Sequence, residues 1–219
     1  MKLNIQLTKA VIGSFLSLIV FSYLAFLVEG QAFVEFDRVI ISYVQGLETA
    51  VLTQLMELFT FIGSAPFVLF LSLIIIVLFY KILHHRQELI LFIFVIAGSV
   101  LLNYLLKLFF QRARPDLNRL IEISGYSFPS GHAMNAFTFY GMLAFLLWRH
   151  LPIKFWRGIL IVCSSSMIFA IGISRVYLGV HYPSDILAGY VASAFWLSFA
   201  IYFFESFEKR KSRYIQPAK

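Results

Sequence analysis

A chain of 219 residues that is 60% hydrophobic, 18% aromatic and only 13% charged, with a mean hydropathy of +0.84, is too apolar for a soluble globule. Ordinary domains are about 45–50% apolar and about 25% charged, so a bilayer must take up the excess apolar surface. The net charge of +7 argues little for nucleic acid, because the cations sit between apolar runs and form no basic stripe, and the single cysteine, Cys163, excludes an intramolecular disulfide.

The length fits one domain, 1–219. Lys2 and Lys9 precede a first apolar run, 10–28. It looks like a signal peptide but is followed by no A-x-A-like site, so it reads as a retained helix. Further runs lie near 66–83, 89–110, 132–149, 156–174 and 185–204, each of a length to cross about 30 Å of hydrocarbon. The expected fold is all-α: a polytopic membrane protein with a six-helix transmembrane bundle.

With the N-terminus inside, twelve lysines and arginines fall on inner segments and six on outer ones (Arg38, Lys107, Arg112, Arg114, Arg119 and Arg175). That bias puts both termini in the cytoplasm. His84, His85 and His150 then fall on the cytoplasmic side as interfacial residues, and the basic run Lys209–Arg213 meets anionic head groups.

Between the first two runs, 33–60 carries Phe36, Ile40, Val44, Leu47, Val51, Leu55 and Leu58 at steps of three and four. This predicts one apolar helix face with the charges mostly elsewhere, lying as an amphipathic segment on the outer surface.

Three outer positions hold unusual polar residues. The third run ends in Lys107-Leu-Phe-Phe-Gln-Arg112-Ala-Arg114-Pro115. Pro115 is expected to stop the helix near Arg114, leaving Lys107 and Arg114 on one face about 10 Å apart. Arg112 would be rotated off that face, as a snorkelling or lipid-phosphate contact. The fourth run opens with Pro129-Ser130-Gly131-His132. Ser130 suits an N-cap, Gly131 admits close approach, and the free N–H groups make an anion site beside His132. The sixth run is led in by Ser174-Arg175 and then His181-Tyr-Pro183-Ser-Asp185. Pro183 suits a first helical turn, with the Asp185 carboxylate in reach of the His181 ring. Three cations, a helix N-terminus and two histidines at one membrane depth describe a dianion site with a nucleophile and an acid.

These three segments resemble the signature motifs of the type-2 phosphatidic acid phosphatase superfamily, with the spacing within each motif intact, and the six-run layout resembles its membrane branch. Size and layout resemble the bacterial phosphatidylglycerophosphate phosphatase B type, which also acts on undecaprenyl diphosphate. The resemblance implies roles. Lys107, Arg114 and Arg175 would hold phosphate oxygens, and Ser130 and the Gly131 N–H would add hydrogen bonds. His181 would attack phosphorus, Asp185 would orient it, and His132 would protonate the leaving group. It implies a lipid phosphate substrate in the cell membrane of a bacterium, an outward-facing site, and no metal or other cofactor. A bell-shaped pH profile is expected from two histidines in opposite protonation states.

Rival readings remain at this level. His132, His181 and Asp185 could ligate zinc, although three cations would crowd the ion. An anion or lipid transporter would need a polar path across the bundle, and a phosphotransferase would share the phosphoenzyme with a hydrolase.

Overall fold

The structure, a computed structural model, describes residues 2–83, 86–116 and 118–215. His84 and His85 lie outside the described residues, as do the side chains of Arg210, Lys211 and Arg213. All regular elements among the described residues are helical: α1 (Lys2–Glu29), α2 (Val34–Gln45), α3 (Ala50–Ile62), α4 (Ala65–Leu78), α5 (Arg86–Phe110), α6 (Gly131–His150), α7 (Lys154–Tyr177) and α8 (Pro183–Ile215). A π turn, Phe79–Leu83, extends α4.

Local sequence explains most helix starts. Thr49, Ser64 and Ser130 are N-caps whose hydroxyls accept from Leu52, Phe67 and Ala133 N–H groups, satisfying donors that have no partner within the helix. At α8, Tyr182 precedes Pro183, and the Asp185 carboxylate reaches back to the Tyr182 N–H at 3.0 Å. This is the carboxylate half of a capping box.

Four helical stretches are long and apolar enough to cross a bilayer: Ala10–Glu29, Gln87–Phe110, Lys154–Tyr177 and Pro183–Phe207. The predicted 66–83 span does not stand alone. It forms a fifth candidate only together with α3, across a 53° bend. The predicted 132–149 span, α6, is not among these stretches. It carries His132, Asn135 and Thr138 near its start and buries Ala133, Met134, Ala136, Phe139 and Met142. A helix surrounded by protein can afford polar residues that a lipid-facing helix cannot. The protein is a multi-pass, all-helical membrane protein.

Helix α6 lies at the centre, packed on α5, α7 and α8, while α1 runs along α8 and α3 along α7. One core layer joins Phe92, Val95, Phe139, Met142 and Leu146. A second joins Ala133, Val176, Tyr177, Leu178, Val180 and Ile186 and underlies the polar segments.

The interfacial segment departs from expectation. It is two helices broken at Gly46–Thr49, not one continuous face. Only Val44 of the predicted stripe is buried, whereas Leu47, Val51, Leu55 and Leu58 are exposed. Asp37, one of the charges of this segment, is 2% exposed. The reason is a specific partner from a distant segment, described next.

Candidate active site

The end of α5, the starts of α6 and α8, and the end of α7 meet at one end of the bundle, bridged by the segment 111–130. Backbone bonds lock them together. Ser130 N–H donates to the Asp185 carbonyl at 3.2 Å, and the Val180 and His181 N–H groups both donate to the Arg175 carbonyl, at 3.2 and 3.3 Å. The turn that delivers His181 needs Gly179. Its φ is +72°, and a Cβ there would lie 2.4 Å from the Asn118 carbonyl oxygen. Gly179→Ala is therefore expected to lose about 1–3 kcal/mol through backbone strain and overpacking, seen as a lower Tm in detergent.

His181 and Asp185 are buried, at 2% and 0% exposure, with Nδ1 and Oδ2 3.2 Å apart. Ser127 completes this group: its hydroxyl donates to Asp185 Oδ2 and lies 3.2 Å from His181 Nδ1. On the other side of the ring, Arg114 Nη1 lies 3.2 Å from His181 Nε2. A guanidinium can only donate, so Nε2 accepts and the ring proton sits on Nδ1, facing the carboxylate. Burial, opposed by the hydrogen bond and charge of Asp185, pushes His181 down to about 3. The ring is neutral at physiological pH.

Lys107, Arg114 and Arg175 lie within electrostatic reach of one another. Arg114 is held by the carbonyls of Gly125, Ser124 and Val180 at 2.9, 3.3 and 2.8 Å. Lys107 donates to the Tyr126 and Ser127 carbonyls. Arg175 is 1% exposed; its Nη1 donates to Thr60 Oγ1, while its Nε has no hydrogen-bond partner among the described residues. His132, on the first turn of α6, is within electrostatic reach of Arg175, His181, Arg114 and Lys107. Gly131 packs against Asn103, whose Oδ1 would lie 3.0 Å from an added Cβ. Asn103 in turn donates to the Pro129 carbonyl at 3.1 Å, fixing the loop before α6.

All eight residues singled out by sequence thus belong to these converging segments. Two details differ. Helix α5 ends at Phe110, not near Arg114, because Gln111 adopts a left-handed φ of 46°; Lys107 and Arg114 are joined by a non-helical segment, not by a shared helix face. Arg112 is no lipid-facing cation. It donates to Asp185 Oδ1 at 2.7 Å and to Asp37 Oδ2 at 3.0 Å. Sequence reasoning also passed over Ser127, Thr60 and Asn103, single polar residues whose partners lie 26 to 115 positions away. The zinc reading has no matching geometry: no cluster of three or more His, Cys, Asp or Glu side chains is arranged for an ion among the described residues.

Comparison with known proteins decides the family. The PAP2 superfamily model matches residues 88–209, which contain every one of these motifs. The chain belongs to the PAP2 superfamily. It is 36% identical over 144 residues to phosphatidylglycerophosphatase B of Bacillus subtilis, covering 64% of this chain and 68% of that protein. A putative undecaprenyl-diphosphatase of Escherichia coli is 38% identical over 114 residues, 49% of this chain and 52% of that one. The crystal structure of a transmembrane PAP2-type phosphatidylglycerolphosphate phosphatase from Bacillus subtilis superposes with a TM-score of 0.78 at 30% identity, covering 94% of this chain and 98% of that one. As a PAP2 protein with phosphatase relatives, this chain is a lipid phosphate hydrolase.

Proposed function

We propose that the enzyme hydrolyses phosphatidylglycerophosphate to phosphatidylglycerol, undecaprenyl diphosphate to undecaprenyl phosphate, or both, through a phosphohistidine on His181 and without metal. The observation that carries this reading is the His181 ring: neutral, with its proton on Nδ1 toward Asp185 and Ser127 and its Nε2 lone pair turned to Arg114 Nη1, a contact that an incoming phosphorus would displace.

In the first half-reaction Nε2 bonds to phosphorus while the ester or anhydride P–O bond breaks. His132 gives its proton to the leaving oxygen. The phosphorylated ring is cationic, and Asp185 stabilises it. In the second half, water attacks phosphorus, the P–N bond breaks, and His132 recovers a proton from the water, releasing inorganic phosphate. Little covalent assistance is needed beyond this, because phosphoryl transfer is driven by positioning and by charge placed against the equatorial oxygens. Lys107, Arg114 and Arg175 supply that charge, with hydrogen bonds from Ser130 and the Gly131 N–H.

The distribution of twelve inner and six outer cations supports cytoplasmic termini and a site at the outer face of a bacterial cell membrane. The central position of α6 supports a sixth span, and the α2 charges support an outer interfacial location for that helix.

The test is phosphate release by the purified enzyme from a panel of lipid monophosphates and diphosphates, with chelator present. Chelator-resistant release, fastest on phosphatidylglycerophosphate or undecaprenyl diphosphate, is expected. Loss of release on chelation would overturn the metal-free mechanism, and preference for another lipid would overturn the substrate assignment.

A further inference from the structure

Two buried carboxylates meet at the start of α8, and a single guanidinium stands between them. Asp37, from α2, accepts from the Ser184 N–H at 2.8 Å and the Ser184 hydroxyl at 2.7 Å. A carboxylate from a distant helix thus caps the first turn of α8, where negative charge is favoured. Asp185, in the same turn, uses Oδ2 for His181, Ser127 and the Tyr182 N–H. Arg112 joins the two, with Nη1 on Asp185 Oδ1 and Nη2 on Asp37 Oδ2. Its guanidinium carbon lies 4.0 Å from the Tyr182 ring centroid, so both its fork and its face are fixed.

We infer that Arg112 and Asp37 are positioning residues for the reaction: Arg112 keeps Asp185 ionised and oriented, Asp37 holds Arg112, and through them α2 is coupled to the nucleophile. The inference rests on reading His181 as that nucleophile. An ionised Asp185 must accept the Nδ1 proton for Nε2 to carry the lone pair. A protonated Asp185 would donate instead, leaving the ring in the wrong tautomer. Arg112 is the cation that bonds both carboxylates, one on each terminal nitrogen.

The other charged groups near this pair do not replace Arg112. Lys107 and Arg114 act on Asp185 from the phosphate side. Asp116 pairs with Arg119, and Glu35 pairs with Arg38 on the exposed face of α2. Asp37 itself has 3% of its side chain exposed and Arg112 19%, so water screens the triad poorly.

The geometry gives a sign that simple loss of packing would not. Arg112→Gln should lower kcat about 10- to 100-fold, the range typical of outer-shell orienting groups, with KM changed less than about threefold. The acid limb of kcat against pH should move up by about 1 unit, because the cation bonded to Asp185 Oδ1 is gone. Arg112→Lys should recover part of the rate. Adding Asp37→Asn to Arg112→Gln should bring the acid limb back down, because the competing carboxylate is gone, whereas Asp37→Asn alone should reduce kcat less than Arg112→Gln does. The experiment measures pH profiles of the four purified variants and wild type on one lipid monophosphate in detergent, so that ionisation of the substrate is common to all.

An unchanged acid limb in Arg112→Gln, or no return in the double variant, would overturn the charge role. If Arg112→Gln fails to fold, Arg112→Lys and Asp37→Asn carry the test, and wild-type profiles for both would overturn it equally. Activity remaining in His181→Ala would instead sink the nucleophile reading on which the inference depends.

Discussion

His181→Ala is expected to lose phosphate release by roughly 10⁴-fold or more, the scale on which removal of a covalent nucleophile acts when the rest of the site survives. The protein should still fold, since the alanine would leave a small buried space rather than an unpaired charge. Asp185 would keep Arg112, Ser127 and the Tyr182 N–H as partners. Tm should therefore fall far less than activity. Asp185→Asn should leave a measurable residual rate, because the nucleophile remains and only its tautomer is disfavoured. The pH dependence separates this assignment from one in which His181 serves as an acid. With His181 held near 3 by burial, the ring stays neutral as pH falls through its ordinary range near 6.5. Protonation would silence it only below about pH 4. The acid limb of the expected bell-shaped profile thus does not come from protonation of the nucleophile. Rapid quench of the wild type with a lipid labelled in its phosphate should trap label that is acid-labile and base-stable on the protein. Most of the activity persisting in His181→Ala, or no trapped label in the wild type, would remove His181 from the proposed role.

The site was far more legible in the sequence than its supports were. Pro129-Ser130-Gly131-His132 and His181-Tyr-Pro183-Ser-Asp185 could be read because capping chemistry is local: an N-cap hydroxyl and a proline in the first turn position their neighbours without reference to the rest of the chain. Arg112 and Asp37 could not be read that way. Periodicity sorted Arg112 by helix face and left Asp37 without a place of its own, and such sorting holds only while the backbone is helical and the partner is solvent or lipid. Gln111 breaks the helix before Arg112 is reached, and Asp37 is buried by a salt bridge 75 positions away. Hydropathy located the long apolar helices for a related reason. It found the 132–149 run as well, but the polar start of α6, covered by its neighbours, keeps that helix out of the stretches apolar enough to cross on their own. The break at Gly46–Thr49 was missed because the apolar steps of three and four continue through it.

Arg175 carries the other large effect. Its side chain is almost wholly buried, with Nη1 on Thr60 and Nε unpaired. An unpaired guanidinium donor in such a setting is destabilising unless a ligand satisfies it, and the neighbouring Arg114 makes an anion the fitting ligand. Arg175→Lys is expected to reduce kcat/KM by roughly 10²–10³-fold, comparable to loss of one preorganised donor at a developing charge, because a lysine supplies a point charge but no fork. The ligand-free protein should change little in stability, since the substitution removes the unsatisfied donor together with the Thr60 hydrogen bond. What should be lost is stabilisation by ligand. Orthovanadate, which mimics the pentacoordinate phosphorus, should raise the wild-type Tm, consistent with about 2.7 kcal/mol at a hundredfold excess over Kd, and should raise that of Arg175→Lys far less. A variant as active as wild type, or one that keeps the full vanadate shift, would mean that the buried guanidinium serves only to join α7 to α3 through Thr60.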